Sequence, residues 1–403
     1  MSASRTAEVV IAGAGIGGVA AAYQLAVRAG VTRVVLVDPR EPLSLTTSRG
    51  SEAYRNYWPG PDDTMMRFMD RSIDLLEALD HESGHAFALN RRGYVFLTAD
   101  SSEAERLRAT ANPTTEFLAN KSDIRARYPF VTDRAVGMLH ARRAGYMNAL
   151  VLGRWLLERA VGHGVDLVRD EVSDVIIERR RFAGVRLASG GRIDARSFVL
   201  AAGPRLPEWA HRLDLDVPIV NELHGKISFE DDSGVVPRDA PMMIWNDPVE
   251  IRGLGTFPAG VHLRPRGERS VLGIWTYDTR TEEARADPVF PPQYADIVLA
   301  GLTVMIPGLA ACNGAAATVD GGYYCKTPDN KPLVGPTTIP GVFLLGALSG
   351  FGVMASQAAA ELVAAHVLEQ PLPGYAAAFL PGRFADAAYR RALAATDARH
   401  GQL

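Results

Sequence analysis

The chain has 403 residues, of which 47% are hydrophobic and 22% are charged, and its formal net charge is −3. This length predicts two joined domains rather than one core, and the small net charge gives no electrostatic footprint for nucleic acid or an anionic membrane. Cys312 and Cys325 form neither a disulfide framework nor a metal-ligand spacing. We therefore expect no metal and a reducing, cytoplasmic compartment. The first residues carry no export signal, and no uncharged apolar run has the length of a membrane-spanning helix.

The chain begins with a βαβ pattern. Residues 8–12 predict a buried strand, residues 16–29 a helix, and residues 33–37 a second buried strand that ends in Asp38. The later predicted elements are a helix over 62–82, a strand at 93–97, a helix from Asn148 to about 163, strands at 165–168, 172–177, 183–187, 193–201, 219–229, 259–264, 270–276 and 342–346, and a helix over about 354–368.

The turn after the first strand reads GAGIGG and places glycines in GxGxxG spacing. Gly13 permits a tight turn, Gly15 lets the backbone approach a pyrophosphate, and Gly18 lets the helix pack closely on the strand. The helix N-terminus then presents N–H groups and a positive dipole end to the phosphates. Asp38 lies 20 residues after Gly18, where its carboxylate would bind ribose hydroxyls. The pattern as a whole predicts dinucleotide binding.

Two later segments favour FAD over a nicotinamide cofactor. Residues 198–203 (FVLAAG) form an apolar strand that ends in small residues, so a dinucleotide could lie flat over the edge of the sheet. Residues 341–354 (GVFLLGALSGFGVM) repeat the strand, glycine turn and helix. The N-terminus of that second helix would stabilise negative charge on a reduced flavin.

The return to a βα pattern near the C-terminus predicts that the chain leaves its nucleotide-binding domain and re-enters it. We predict an α/β fold in which a Rossmann-like FAD-binding domain is interleaved with a β-rich substrate domain of mixed sheet and helices. The FAD-binding segments are expected at 1–80, 146–215 and 316–403, and the substrate-domain segments at 81–145 and 216–315.

Several segments together resemble the D-amino-acid-oxidase-like superfamily of FAD-dependent amine oxidoreductases, in the branch of sarcosine oxidase, glycine oxidase and secondary-amine dehydrogenases. The resemblance spans nearly the whole chain. It is strongest at residues 8–40, at SLTTSRGSEAYR (44–55), at AAG (201–203), at YYCKTPDNKPLVGP (323–336) and at 343–354.

The resemblance implies a set of FAD contacts that runs from the ADP half through the pyrophosphate and adenine to the isoalloxazine. In chain order these residues are Gly13, Ala14, Gly15, Ile16, Gly17, Gly18, Asp38, Pro39, Arg40, Thr46, Thr47, Ser48, Arg49, Val172, Ala202, Gly203, Gly346, Ser349, Gly350, Phe351, Gly352, Val353 and Met354. The cysteine that sarcosine oxidases attach to the flavin corresponds to Gly322, and Cys325 lies three residues further on. FAD is therefore expected to be held noncovalently.

Four residues are predicted to be catalytic: Arg55, Glu52, Trp275 and Tyr324. Arg55 aligns with the arginine that grips a substrate carboxylate in that branch; the alternative is an arginine tied to Glu52 or Asp62. Glu52 stands where the branch often has a basic residue, and a carboxylate there would attract a cationic amine. Trp275 and Tyr324 are expected to line the pocket, with core packing as the alternative for each.

Other positions are less defined. The branch's second carboxylate-binding lysine corresponds to Met354, and the lysine and histidine near the flavin of sarcosine oxidase correspond to Val271 and Trp275. These differences weaken the assignment of sarcosine as substrate and leave oxidase and dehydrogenase open. His224 and Lys226 lie on a strand that either faces the pocket or packs elsewhere. No role is assigned to the scattered histidines, which are His81, His85, His140, His211, His262 and His366.

The function implied is oxidation of the C–N bond of an amine or amino acid by hydride transfer to flavin N5, giving an imine that water hydrolyses. The expected partners are that small substrate and O₂ or another electron acceptor, with the chain as a monomer or homodimer. The alternatives are a hydroxy-acid oxidoreductase of the same fold, a flavin monooxygenase or halogenase, and an electron-relaying subunit. The second alternative is disfavoured because Gly346 is followed by Ala347 rather than by the aspartate of those families.

Overall fold

The computed structural model describes residues 5–60 and 62–394. The helices are α1 (Ile16–Tyr23), α2 (Thr64–Glu82), α3 (Ser101–Ala109), α4 (Lys121–Arg127), α5 (Ala149–Gly162), α6 (Leu206–Arg212), α7 (Tyr294–Met305), α8 (Gly352–Val367) and α9 (Ala387–Ala394). The strands are β1 (Arg5–Thr6), β2 (Val9–Ala12), β3 (Val34–Val37), β4 (Ala53–Arg55), β5 (Tyr94–Thr98), β6 (Thr115–Leu118), β7 (Gly137–Ala141), β8 (Ala144–Tyr146), β9 (Asp166–Val168), β10 (Val172–Glu178), β11 (Arg181–Leu187), β12 (Arg192–Asp194), β13 (Ser197–Leu200), β14 (Val220–Glu230), β15 (Met242–Trp245), β16 (Val249–Ile251), β17 (Gly255–Phe257), β18 (Val261–Arg266), β19 (Ser270–Ile274), β20 (Ala317–Lys326), β21 (Leu333–Pro336) and β22 (Val342–Gly346).

The first large sheet has six strands in the order β21-β22-β13-β2-β3-β9. All neighbouring pairs are parallel except β21 with β22. Its central strands read VVIA and VVLV and are buried throughout, as expected for a parallel sheet covered on both faces. Helices α1 and α8 are rich in alanine and glycine and pack closely against each other beside this sheet. The predicted α/β fold class is confirmed.

The second large sheet has eight strands in the order β20-β14-β19-β18-β15-β5-β7-β6. It is antiparallel except for the pair β15 and β5. Helix α7 covers one face and encloses a hydrophobic core with that face. The opposite face forms the floor of the pocket described below.

The smaller sheets account for one difference from the sequence prediction. The run 193–201, predicted as one strand, is two strands: β12 belongs to a four-stranded sheet with β1, β11 and β10, and β13 belongs to the six-stranded sheet. The chain changes sheet at residues 195–196, where the N–H groups of Arg196 and Ser197 donate to the Glu8 carbonyl. The apolar pattern continues across this corner, so periodicity alone could not locate it.

The order of the elements shows the chain passing several times between the two large sheets. β20 pairs with β14 in the eight-stranded sheet, while the segment from β21 onward returns to the six-stranded one. The five domain segments predicted from sequence stay a prediction, and their outermost residues, 1–4 and 395–403, lie outside the described residues. Within the described ranges, no helix combines the length and the apolar character needed to cross a bilayer.

Candidate active site

A long cleft opens at the carboxyl ends of β2, β3, β13 and β22, which is the edge where open parallel sheets bind ligands. Helices α1 and α8 both begin at this edge. Neither has a side-chain hydrogen bond at its N-cap, Gly15 for α1 and Phe351 for α8. Since the first N–H groups of a helix have no partner within it, two positive helix ends face the cleft.

The glycine turn before α1 is shaped by contacts that exclude side chains. Gly13 has φ +105°, and a Cβ there would overlap the Ala201 carbonyl; a Cβ on Gly18 would overlap the Gly13 carbonyl. A Cβ on Gly15 would meet only Thr47 Oγ1, at 3.7 Å. Gly13 and Gly18 are therefore required by the fold itself. Gly15 keeps the cleft open at the helix end.

Asp38 joins the end of β3 to this turn. The Ala14 N–H donates to Asp38 Oδ2 at 2.7 Å, and the Arg40 N–H donates to Asp38 Oδ1 at 2.8 Å. The Ile16 N–H donates to Thr47 Oγ1 at 3.1 Å, which fixes the second predicted motif against α1. Each carboxylate oxygen retains a further lone pair, so Asp38 can hold the turn and still accept hydrogen bonds from a ligand in the cleft.

The cleft consists of three adjoining sections, which extend from Val172 at one end to Arg55 at the other. Its first section, lined by Val172 and Arg49, shares Gly13, Asp38 and other residues with the middle section. The middle section shares Tyr324 and Gly350 with the last section, which contains Arg55. A ligand as extended as a flavin dinucleotide could therefore occupy the first two sections and present one end to the third.

Most of the predicted FAD contacts lie along this cleft. Those lining its first two sections are Gly13, Ala14, Gly15, Ile16, Gly17, Asp38, Pro39, Arg40, Thr46, Thr47, Arg49, Val172, Ala202, Gly203, Gly346, Ser349, Gly350, Gly352 and Val353. Phe351 and Met354 line the third section. Gly18 and Ser48 do not line it: Gly18 packs on the turn, and the Ser48 hydroxyl donates to the Leu45 carbonyl at 2.8 Å. The N-termini of α1 and α8, the open Gly15 and the Asp38 carboxylate fit FAD.

Cys325 also lies along the middle section. Burial raises the pKa of its thiol to about 12, so it is protonated at neutral pH and is a poor nucleophile. A Cβ on Gly322, the position of the covalent cysteine in sarcosine oxidases, would come within 3.4 Å of Thr46 Cα. The protonated Cys325 thiol supports noncovalent binding, which stays a prediction.

The third section is a pocket whose floor is one face of the eight-stranded sheet. Cross-strand pairing places His262 opposite Ile274 and Met242 opposite Tyr94, so these side chains share that face. The remaining lining residues are Ser51, Arg55, Thr276, Tyr324, Gly350, Phe351 and Met354. The ring of Tyr324 packs on Gly350, where a Cβ would overlap it. The N-terminus of α8 and the sheet thus enclose one small cavity.

Arg55 supplies the positive charge of this pocket. Its side chain is buried, its Nε donates to the Tyr57 carbonyl at 3.1 Å, and its guanidinium lies 4.4 Å from the Trp58 ring centroid. Burial lowers the pKa of Arg55, with Tyr94 acting in the opposite sense, but an arginine stays charged. The pocket therefore holds a cation that is fixed in orientation.

The two carboxylates that were considered as partners for Arg55 form ion pairs with other residues. Glu52 pairs with Arg264, and Asp62 lies 3.6 Å from the Lys331 ammonium. Glu52 also accepts a hydrogen bond from the Ala149 N–H at 3.3 Å, and it does not line the pocket. The structure brings Arg55 and Tyr324 into the pocket and leaves Glu52 behind it.

Trp275 lies outside the pocket as well. Its ring is buried against Gly301 of α7, and its Nε1 donates to the Pro258 carbonyl at 3.0 Å. Successive residues of an extended chain point to opposite faces, so its neighbours Ile274 and Thr276 line the pocket instead. The resemblance thus predicted a segment that does reach the pocket, but it assigned the pocket position to Trp275, which points to the opposite face from Ile274 and Thr276.

Sequence reasoning gave no role to His262 and did not consider Tyr94 or Thr276. His262 Nδ1 lies 2.7 Å from the Gly260 carbonyl, and burial lowers the pKa of His262 to about 4. The imidazole is therefore neutral at ordinary pH and leaves the positive charge to Arg55. The alternation along β18 and β19, read together with their pairing, was the signal that could have identified His262 and Thr276.

The sequence left open whether Lys226 and His224 face the pocket or pack elsewhere, and the structure shows where each side chain lies. Lys226 is buried and forms an ion pair with Asp320 at 3.3 Å. His224 is buried behind the pocket, where its ring stacks on Tyr324. Neither lines the pocket directly. Across residues 5–60 and 62–394, no group of three or more His, Cys, Asp or Glu is arranged to hold a metal ion.

Comparison with known proteins agrees with this geometry. Residues 8–366 match the model of a family described as FAD dependent oxidoreductase. The chain is 25% identical to the sarcosine oxidase subunit beta of Rhizobium meliloti (strain 1021) over 396 residues, 94% of this chain and 88% of that protein. It is 28% identical over 194 residues to the bifunctional tRNA 5-methylaminomethyl-2-thiouridine biosynthesis protein MnmC of Paracidovorax citrulli (strain AAC00-1). That match covers 45% of this chain and only 28% of the relative.

Among solved structures, the L-proline dehydrogenase from P. horikoshii superposes with a TM-score of 0.80 at 21% sequence identity. The superposition covers 95% of this chain and 99% of the other. At this level of identity the likeness establishes the fold, and it extends over both large sheets.

Proposed function

Because the chain belongs to the family of FAD-dependent oxidoreductases, we propose that it oxidises the C–N bond of a small amine or amino acid that carries a carboxylate. The observation that carries this proposal is the buried Arg55 guanidinium, which lines the pocket at the end of the dinucleotide cleft. A planar, always charged group is suited to bidentate binding of a carboxylate. The similarity to a sarcosine oxidase subunit and to an L-proline dehydrogenase fold supports an amino acid as the amine.

Bound FAD would supply the oxidant, a two-electron acceptor for the hydride that leaves the substrate carbon. The residues of the chain bind and orient the substrate. Arg55 holds the carboxylate, and Tyr94, Tyr324 and Met354 narrow the cavity around the reacting carbon and limit its water. Holding the reactants in one geometry removes much of the entropic barrier. Water then hydrolyses the imine product to a carbonyl compound and an amine or ammonia.

The uncapped N-terminus of α8 has a separate task. Gly352 and Val353 line the middle section of the cleft, and Met354 lines the pocket. N–H groups aimed at this junction stabilise negative charge that develops there during reduction. Because this stabilisation comes from fixed backbone dipoles, it needs no titratable side chain in the pocket.

We further propose that FAD is held noncovalently, that the chain works in the cytoplasm as a monomer or homodimer, and that O₂ or another acceptor reoxidises it. Noncovalent binding is supported by the protonated Cys325 thiol. A reducing compartment is supported by Cys312 and Cys325, which are both buried free thiols. Acid precipitation of the yellow protein should release FAD into the supernatant. A pellet that stays yellow would show a covalent link instead.

The predicted interleaving of a FAD-binding domain with a β-rich substrate domain is also kept as a proposal. It is supported by the two large sheets, which the chain visits alternately. The cleft for FAD lies at the edge of one sheet, and the substrate pocket lies on a face of the other.

The proposal is tested by anaerobic mixing of the holoprotein with matched compounds while the flavin absorbance is followed. L-Proline and sarcosine carry an amine and a carboxylate, pyrrolidine lacks the carboxylate, and L-lactate lacks the amine. We expect bleaching with an amino acid and little with pyrrolidine or L-lactate. Bleaching by L-lactate alone would identify a hydroxy-acid oxidoreductase. Re-admission of air then distinguishes an oxidase from a dehydrogenase.

A further inference from the structure

A chain of four polar side chains leads away from the substrate pocket, and none of them has a task in the proposed function so far. Thr276 Oγ1 lies 2.7 Å from His224 Nδ1, and His224 Nε2 lies 3.3 Å from Glu222 Oε2. The same Glu222 oxygen accepts a hydrogen bond from Lys326 Nζ at 2.8 Å. His224 and Lys326 are both buried. The chain thus starts at Thr276 in the pocket wall and ends at the partly buried ion pair of Glu222 and Lys326.

The chemistry of these groups fixes the direction of each hydrogen bond. The contacts with His224 and Lys326 lower the pKa of Glu222 to about 2, so its carboxylate only accepts. Burial lowers the pKa of His224, which keeps the imidazole neutral with a single N–H. Because Nε2 must donate to Glu222, Nδ1 is left as an acceptor. The Thr276 hydroxyl therefore donates to Nδ1 and turns the lone pairs of its oxygen outward.

The position of this oxygen matters because Thr276 is a wall residue of the pocket. It shares the pocket with Arg55, whose guanidinium is the proposed anchor for the carboxylate. The imidazole of His224 stacks on the Tyr324 ring with 3.6 Å between centroids, which holds its plane in place. The pocket therefore offers a fixed cation at Arg55 and, at Thr276, a hydroxyl oxygen whose own hydrogen is already used.

We propose that Thr276 accepts a hydrogen bond from the N–H of the substrate amine, and that His224 positions the Thr276 hydroxyl for this task. The inference rests on the proposed function and narrows its substrate class. A carboxylate bound by Arg55 and an N–H bound by Thr276 define primary and secondary amino acids. Tertiary amines have no N–H in their neutral, reactive form and are disfavoured.

The test is equilibrium binding to the FAD-loaded protein, measured by calorimetry with two ligands that differ in one group. Pyrrole-2-carboxylate offers an N–H beside its carboxylate, and furan-2-carboxylate has a ring oxygen in that place. We expect the wild type to prefer the pyrrole by about 10-fold, the size of one hydrogen bond. Thr276→Val should abolish the preference by weakening pyrrole binding alone, and Thr276→Ser should retain it.

His224→Phe tests the positioning role, because it keeps an aromatic ring against Tyr324 and removes both ring nitrogens. The freed Thr276 hydroxyl can then rotate, and the preference should fall several-fold while furan binding is unchanged. An unaltered preference in Thr276→Val, with both ligands bound, would overturn the inference and leave the proposed function standing. Failure of the wild type to bind either ligand, with FAD in place, would overturn the proposed function and the inference with it.

Discussion

Arg264 Nη2 donates to Glu52 Oε2 across 2.5 Å, and neither residue lines the proposed substrate pocket. The Nε of Arg264 also donates to the carbonyl of Ser51, itself a pocket residue, at 2.7 Å. Glu52 adopts a left-handed backbone with φ +59°, which places its side chain toward Arg264. The negative charge of Glu52 is thereby compensated. The Glu52 carboxylate therefore does not neutralise the positive charge of Arg55, and it does not face a substrate amine.

Glu52→Gln should destabilise the protein, because Arg264 would keep a buried charge with no counter-charge. Removing one member of a buried pair typically costs about 3–5 kcal/mol, and the amide retains part of the hydrogen bonding. We expect the free energy of unfolding in urea to fall by about 3 kcal/mol. The control is Asp232→Asn, which removes the partner of Arg269 in an exposed pair and should have little effect. Equal effects of the two substitutions would contradict this account.

Arg55→Met should raise the KM for a carboxylated amine by about 10- to 100-fold, the loss of a hydrogen bond between charged groups. Methionine fills much of the same volume, so the cavity itself should persist. Steady-state kinetics with L-proline and with pyrrolidine separates the two effects. In the variant the KM values for L-proline and pyrrolidine should lie closer together, since only L-proline carries the carboxylate that Arg55 would bind. A KM unchanged for L-proline would remove Arg55 from the binding site.

The nucleotide-binding half of this architecture was predictable because its signals are local. Gly13, Gly15 and Gly18 lie within one turn, and Asp38 follows at the end of the next strand. The pocket was harder to predict, because its residues come from strands distant in sequence. A shift of one residue just after the end of β19 exchanges Trp275 for Thr276, and thereby a core position for a pocket position. Only strand pairing fixes that parity.

The pairing of Glu52 with Arg264 could not be foreseen for a similar reason. The two residues are far apart in the chain, and only Arg55 was considered from the sequence as an ion-pair partner of Glu52. The loop at residues 284–286 was also missed, although it borders the first section of the cleft. Arg49 Nη1 donates to the Ala286 carbonyl at 2.8 Å, which ties this loop to the predicted second motif. Neither contact leaves a periodic or spaced pattern in the sequence.

Gly15→Ala should weaken FAD binding without unfolding the chain. The added methyl would meet only Thr47 Oγ1 at 3.7 Å, so it fits the protein but occupies the opening toward the cofactor. We expect the dissociation constant of FAD to rise about 10-fold in a titration of the apoprotein, with an unchanged circular dichroism spectrum. The matched control is Gly162→Ala, since a Cβ there meets nothing within 4 Å. Equal affinity in the two variants would argue against a pyrophosphate at Gly15.

His262 should make stability depend on pH in a defined window. Burial lowers its pKa from 6.5 to about 4 in the folded protein, so between these values the unfolded chain binds more protons. Stability should therefore fall as the pH drops from about 6.5 to 4, by about 3 kcal/mol for this group. Urea unfolding at several pH values measures the slope. In His262→Gln the contribution of this group to the pH dependence of the unfolding free energy should be lost. Identical slopes in the wild type and the variant would show that His262 titrates normally.

The central claim is that the chain removes two electrons from a C–N bond, and an anaerobic single turnover with product analysis tests it most directly. Holoprotein is mixed with the amino acid that bleaches it in the absence of O₂, and the products are quantified against the flavin reduced. For each flavin reduced we predict one equivalent of a carbonyl compound and one of ammonia or amine from an acyclic amino acid, and one equivalent of the cyclic imine with its ring-opened amino carbonyl form from L-proline. Reduction of the flavin with no imine or carbonyl product from the amine-bearing carbon, or turnover that requires O₂ to yield product, would contradict the claim.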